Sequence, residues 1–226
     1  MKQENLHKPK TKLELAHEEQ VKVLNLLLAE IMELASVDFL QMGSVLAEFE
    51  KAATHAETVS LAVMELQHVD ALRQKLQHIH DFQLGILNGE SALHEDGDEV
   101  SFQSIHGLVF KLNYYQVIAA QDDFSSSVRK VQNLMSKIRA SESFTNLQRI
   151  QDHFRNITST LSFLANEYCT SSDFELSHLS DYFSDRYSML SERIVLNWCV
   201  SSEYESIEDF KKYYSSKDKS ESVELF

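Results

Sequence analysis

Turn-forming residues are scarce in this sequence. The 226 residues include one proline, Pro9, and five glycines. Because proline and glycine supply many of the backbone conformations that sharp turns require, the chain has few places at which to reverse direction. Long helices with few connections satisfy this limit, whereas β-sandwiches and alternating α/β folds need many more loops. The sequence therefore predicts an all-α fold, an elongated antiparallel four-helix-type bundle of long helices.

Apolar residues recur at helical spacing along most of the chain, which predicts where the helices lie. The predicted helices cover residues 13–53, 59–88, 101–140, 147–164 and 174–200. Between the second and third, residues 89–100 are acidic and contain two glycines, so we expect a solvated loop there. We accordingly divide the chain into three parts: a flexible N-terminus (1–11), a helical bundle (12–200) and a weakly helical to flexible C-terminal tail (201–226).

Charge narrows the classes of partner. The formal net charge is -14, with 35 acidic and 21 basic side chains. Since phosphate binding depends on clustered cations, nucleic acid is not an expected partner.

The most apolar stretch, residues 21–35, contains Lys22, Glu30 and Glu33 and is too short to span a bilayer. Residues 1–10 lack the apolar core of a secretory signal, so we expect a cytoplasmic protein without membrane insertion.

Three Glu-x-x-His pairs raise the possibility of a metal site. A Glu and a His three residues apart share one helix face, and two such pairs plus a Glu from each of two further helices form a di-iron site. The predicted helix over residues 101–140 contains no Glu, so one ligand of that set is missing. We therefore predict no bound metal and keep the di-iron bundle as a lesser alternative. The pairs are Glu14/His17, Glu65/His68 and Glu175/His178.

A polar stripe runs along the second predicted helix, beside its apolar face. Asp70 and Gln74 are four residues apart, so their side chains lie one above the other on the helix surface. The stripe is rich in Gln and poor in the Glu–Lys pairs that decorate most exposed helices, although an ordinary solvated face remains the alternative interpretation. Its members are Gln67, Asp70, Gln74, Gln77 and Asp81.

The run from Gln67 to Ile79 resembles the catalytic helix of CheZ-type chemotaxis phosphatases, which carries an Asp and a Gln four apart in a Gln-rich segment. The resemblance implies a long helical hairpin that pairs into a four-helix bundle, with a homodimer as one arrangement. It implies removal of phosphate from a phosphorylated CheY-type response regulator. Gln74 would orient the attacking water, and Asp70 would pair with the regulator's lysine. The regulator would supply magnesium, so no cofactor is expected on this chain.

The end of the chain carries a second, shorter likeness to the same family. CheZ proteins finish with a linker and a short acidic, apolar segment that ends in Phe and binds the regulator. The last residues here are SSKDKSESVELF, an apolar tip on a polar tail. Such a tip is typical of a tethered docking peptide, and a frayed terminus with incidental apolar residues is the alternative interpretation. The resemblance implies that Val223, Leu225 and Phe226 bind the partner, as Gln67, Gln77 and Asp81 would beside the catalytic pair.

Residues 179–200 combine aromatic and charged side chains without a recognisable chemistry. We expect Phe183, Leu190, Ile194 and Trp198 in the core and Arg186, Glu192 and Arg193 on the surface, as ion pairs or as an interaction patch. A non-enzymatic helical adaptor that binds signalling proteins therefore stays open as the alternative to a phosphatase.

Overall fold

The computed structural model describes residues 12–50, 56–88, 91–93, 99–138, 144–168, 180–187, 189–201 and 206–221. Helices account for nearly all of this part, which confirms the predicted all-α class. In chain order the elements are α1 (Lys12–Glu50), α2 (Ala56–Asn88), β1 (Ser91–Leu93), β2 (Glu99–Ser101), α3 (Phe102–Lys137), α4 (Leu147–Tyr168), α5 (Ser180–Ser184), α6 (Leu190–Ser201) and α7 (Ile207–Glu221).

The four longest helices form an antiparallel bundle in which each packs on its sequence neighbours and α4 closes against α1. With 39 residues at 1.5 Å each, α1 is about 58 Å long, so the bundle is elongated. Aromatic rings fill its middle. Phe39 lies 5.3 Å from Phe144 and 6.1 Å from Phe124, and Phe124 lies 6.1 Å from Phe154. These contacts bring α1, α3, α4 and Phe144, three residues before α4, into one core.

A second hydrophobic core lies between α3, the end of α2 and the three C-terminal helices. Phe82 of α2 packs edge-on against Phe183 at 5.0 Å, and Trp198 of α6 packs at 5.6 Å from Phe210 of α7. Phe210 and Tyr214 are both buried, four residues apart on α7. Part of the predicted C-terminal tail is therefore a packed helix.

A buried carboxylate joins α1 to the start of α4. Asp38 is almost fully buried and accepts four hydrogen bonds. They come from the backbone N–H and the hydroxyl of Thr145 and from the backbone N–H and the side-chain amide of Asn146, over 2.8–3.3 Å. The carboxylate thus satisfies the two backbone N–H groups that lead into α4, and it sets the position of the start of α4 along α1.

The secondary structure predicted for two segments was wrong. Residues 91–93 and 99–101 pair as short antiparallel strands within the segment predicted as a loop. The single helix predicted over 174–200 is interrupted between α5 and α6; residues 169–179 lie outside the described part. The interruption has a local cause. The Glu192 carboxylate accepts from the Met189 backbone N–H at 3.3 Å, and the Glu192 backbone N–H donates to the Met189 carbonyl at 3.2 Å, so a new helix begins.

Across the described residues, every helix is too short or too polar to cross a membrane.

Candidate functional site

The polar stripe of α2 lies on the outer surface of the bundle. All five of its predicted members are exposed: Gln67, Asp70, Gln74, Gln77 and Asp81. Toward the N-terminus of α2 the same face continues into Val63 and Met64, which are 39% and 52% exposed. The stripe therefore adjoins an apolar patch, a composition suited to contact with another protein.

Asp70 and Gln74 have no hydrogen bond or ion pair with any residue that the structure describes. They are about 6 Å apart along the helix axis, one turn of α2. The Asp70 carboxylate presents two acceptor oxygens, and the Gln74 amide presents both a donor and an acceptor. The pair is thus open to a molecule approaching from solvent.

The C-terminal end of the stripe is engaged within the helix. The Gln77 side-chain amide donates to the Asp81 carboxylate at 2.7 Å, and the His80 Nδ1 atom lies 3.4 Å from the same oxygen. Folding thus brings all five predicted residues onto one face. Asp70 and Gln74 have no partner among the described residues, whereas Gln77 and Asp81 are hydrogen-bonded to each other. Gln67 lies one turn before Asp70.

A buried ion pair fixes the rotation of α2. The Lys75 side chain, adjacent to Gln74 in sequence, is only 4% exposed. Its ammonium donates to the Asp123 carboxylate of α3 and, over 3.1 Å, to the Tyr214 hydroxyl of α7. The Tyr214 hydroxyl donates to the same Asp123 oxygen over 2.8 Å. Because Lys75 points inward on these partners, Gln74 is directed outward.

The cavity next to the buried ion pair, behind the stripe, is small. A cavity of about 30 Å³ lies next to Lys75 and Asp123, between Leu72 and Phe124. This volume suits one or a few water molecules rather than a substrate. Chemistry at Asp70 and Gln74 would therefore take place on the outer surface, on a group that a partner presents.

Glu192 is not on the surface as predicted, and this prediction was wrong. It is 1% exposed, and its carboxylate lies 2.6 Å from Nδ1 of His78, a half-buried residue of α2. The hydrogen bond to Glu192 raises the pKa of His78 above its usual value. Burial raises the pKa of the neighbouring Tyr187 hydroxyl, and raises that of the Cys199 thiol to about 12. Such a thiol is poorly reactive at neutral pH.

Of the other predictions for residues 179–200, the one for Leu190 was wrong and the rest are confirmed. Phe183, Ile194 and Trp198 are buried as expected, but Leu190 is 46% exposed at the start of α6. Leu190 is exposed because the core-facing positions of this short helix begin later, at Glu192 and Ile194. Arg186 is exposed and stacks on the Tyr182 ring at 3.6 Å. Arg193 is exposed and donates to the Tyr187 carbonyl at 3.0 Å.

The Glu-x-x-His pair that can be located gives no metal centre. His68 is largely exposed and lies 3.8 Å from Glu65, whose carboxylate accepts a hydrogen bond from Lys130 at 3.0 Å. Among the described residues, no group of three or more His, Cys, Asp or Glu side chains is placed to hold a metal ion. The side chains of the pairs Glu14/His17 and Glu175/His178 lie outside the described part.

The docking residues predicted at the C-terminus, Val223, Leu225 and Phe226, also lie outside the described residues. Sequence reasoning missed the Lys75–Asp123–Tyr214 cluster, although a signal was present. Lys75 falls on the same helical stripe as Leu72, Leu76 and Ile79, where a charged side chain needs a partner. The partner's identity was not readable, because Asp123 lies on a different helix.

Comparison with known proteins gives no relative: no family model matches the chain, and no curated protein or solved structure matches it either.

Proposed function

We propose that this protein is a CheZ-like phosphatase that acts on a phosphorylated CheY-type response regulator. The observation that carries the proposal is the free Asp70–Gln74 pair, one turn apart on the exposed face of a 33-residue helix. The resemblance of the surrounding sequence to the catalytic helix of that family supports the same assignment.

The chemistry requires little of the protein beyond positioning. In phosphoryl transfer the regulator's own aspartyl phosphate is the reacting group, and much of the acceleration comes from placing a water in line with phosphorus. In this proposal the Gln74 amide accepts from and donates to that water, without changing its own protonation state. The Asp70 carboxylate pairs with the regulator's lysine and fixes the docked orientation. The regulator supplies the magnesium.

The surroundings of the pair fit this role. The buried Lys75 cluster and the apolar contacts of Leu72 and Leu76 hold the inner side of α2, so the outward residues project from a rigid element. The exposed Val63 and Met64 lie on the same face, and we assign them to the rim of the docking surface. Gln67, Gln77 and Asp81 complete the polar part of that surface.

The test is the rate at which a phosphorylated receiver domain loses phosphate. Receiver domains from the organism's own response regulators are phosphorylated with a small phosphodonor, and phosphate release is followed with and without the purified protein. We expect acceleration of at least one receiver, and a loss of about 100-fold in that effect for Gln74→Ala, because the water is no longer held. Gln132→Ala, an exposed glutamine on α3, is the matched control and should keep full activity.

Two results would decide against the proposal. If no receiver loses phosphate faster in the presence of the folded wild-type protein, the phosphatase assignment fails and the adaptor remains. If Gln74→Ala and Gln132→Ala are equally active, a phosphatase activity exists but Gln74 does not carry it. Circular dichroism of each variant shows whether the bundle is intact.

A further inference from the structure

The outer face of α1 carries exposed apolar residues in a heptad arrangement. Val23 and Leu26 form one pair, and Val37 and Leu40 form a second pair two heptads later. Each of the four is more than half exposed, and Leu26 and Leu40 are 70% and 75% exposed. Spacings of three and four residues place all of them on one line along the helix, which spans about 26 Å.

The described helices leave the four apolar side chains of this line exposed, although α4 contacts the line at Glu30. The opposite face of α1 packs on α2 and α4 through Leu24, Leu28 and Ile31, all fully buried. Exposed leucines are ordinary when they are scattered singly, but apolar pairs at a and d positions of one heptad frame are the pattern by which one helix packs on another. The exposed line on α1 thus has the arrangement of one side of a two-helix contact.

The middle heptad of the line is acidic. Its a and d positions are Glu30 and Glu33. Glu30 already contacts Arg149 and lies 3.2 Å from His153 of α4. Glu33 is exposed and has no ion pair with any residue in the described ranges. An apolar pair, an acidic centre and a second apolar pair therefore follow one another along the stripe.

This order of charges argues against a second copy of the chain as the occupant. An antiparallel copy with its apolar pairs matched would set Glu30 opposite Glu33, and a parallel copy would set each glutamate opposite itself. Like charges directly opposed across a helix pair are unfavourable, and each Glu33 carboxylate, which has no ion pair within the described ranges, would face another glutamate. A helix with Lys or Arg in its middle heptad removes that conflict and pairs with Glu33.

We propose that the outer face of α1 is the docking site for an amphipathic helix of another protein, with apolar residues in its outer heptads and Lys or Arg in the middle one. The site is separate from the Asp70–Gln74 face and does not depend on the phosphatase assignment. Whichever activity α2 has, α1 would attach the protein to a second component.

The test uses a synthetic three-heptad peptide with Leu at the a and d positions of the outer heptads and Arg at those of the middle heptad. A fluorescent label allows binding to the full chain to be measured by anisotropy. A second peptide, with Glu in place of Arg, reports the charge requirement. Because this pattern reads the same in both directions, either orientation of the peptide satisfies the contact.

We expect the Arg-centred peptide to bind at least tenfold more tightly than the Glu-centred one. Leu26→Ser and Leu40→Ser should each weaken binding about tenfold, since each removes an apolar anchor. Glu33→Arg should reverse the preference between the two peptides. The matched control is Leu190→Ser, which changes an exposed leucine on α6 and should leave binding unaltered.

Three outcomes would overturn the proposal. The first is equal binding of the two peptides, and the second is an effect of Leu190→Ser as large as that of Leu26→Ser. The third is a wild-type chain that self-associates in sedimentation and becomes monomeric on Leu40→Ser, since a second copy would then occupy the face.

Discussion

Removal of Asp123 should cost much more stability than removal of Lys75, although the two form one ion pair. Lys75 is 4% exposed, so Asp123→Ala would leave an ammonium in the interior with the Tyr214 hydroxyl as its remaining described partner. Breaking a buried pair in this way costs about 3–5 kcal/mol in the free energy of unfolding. Because the Asp123 side chain is 39% exposed, water reaches the site, and we expect about 2–3 kcal/mol.

Lys75→Met, in contrast, should change the free energy of unfolding very little. Methionine keeps much of the volume of the lysine stem and brings no charge into the interior. Asp123 would then remain, partly solvated and still bonded to the Tyr214 hydroxyl. The expected cost is about 0–1 kcal/mol, since replacing a buried charge by an apolar group of similar size is often close to neutral. For the same reason the double variant should recover most of the stability that Asp123→Ala alone loses.

Urea unfolding, followed by circular dichroism and by the fluorescence of Trp198, measures these differences. Trp198 is the single tryptophan and packs against Phe210 and Tyr213 of α7, so it reports on the helix that the cluster holds. Asp122→Ala is the matched control, because Asp122 forms an exposed ion pair with Lys211 at 3.0 Å and should cost less than about 1 kcal/mol. If Lys75→Met proves as costly as Asp123→Ala, the account of Lys75 as a buried charge that needs a partner is refuted.

Two further predictions concern the other buried polar contacts. Asp38→Ala should lower the free energy of unfolding by about 2–4 kcal/mol, because Thr145 and Asn146 lose the acceptor of four hydrogen bonds; a loss below about 1 kcal/mol in urea titration would contradict this. The raised pKa of His78 means that its protonated form stabilises the folded state fully below about pH 6.5 and that this contribution is lost as the pH rises through the raised value. The stability difference between wild type and His78→Gln should therefore shrink with rising pH, and a difference that stays constant across the range would show that the pair with Glu192 contributes no proton-linked stability.

The long helices of the bundle were predictable from the sequence, because each has enough turns for its apolar period to be unmistakable. The C-terminal region was less so. Helix α7 is strongly polar, and its apolar period is correspondingly weak. Phe210 and Tyr214 are buried because they pack against Trp198 and the side chains of α3. The break between α5 and α6 likewise depends on Glu192 turning back to Met189 while its carboxylate also lies against His78. Apolar periodicity does not detect such contacts.

For the candidate site, too, local spacing predicted one part and tertiary contacts decided the other. The four-residue spacing of Asp70 and Gln74 is enough to place them on one helix face, and the resemblance of the residues around them supplies the functional hypothesis. What spacing does not reveal is whether that face is covered. Lys75 is buried against Asp123 and Tyr214, which lie 48 and 139 residues further along the chain. Only the packed bundle brings these three together.

The sequence by itself determined the helical class of the protein and the angular relation between side chains on each helix, since both follow from local period and from the scarcity of turn residues. The tertiary structure decided which faces meet solvent. It turned α2 so that Asp70 and Gln74 are exposed, and it left the line from Val23 to Leu40 uncovered on α1. The physical reason is that burial is a property of neighbouring elements, and the neighbours of α1 and α2 are set by contacts between residues far apart in the chain.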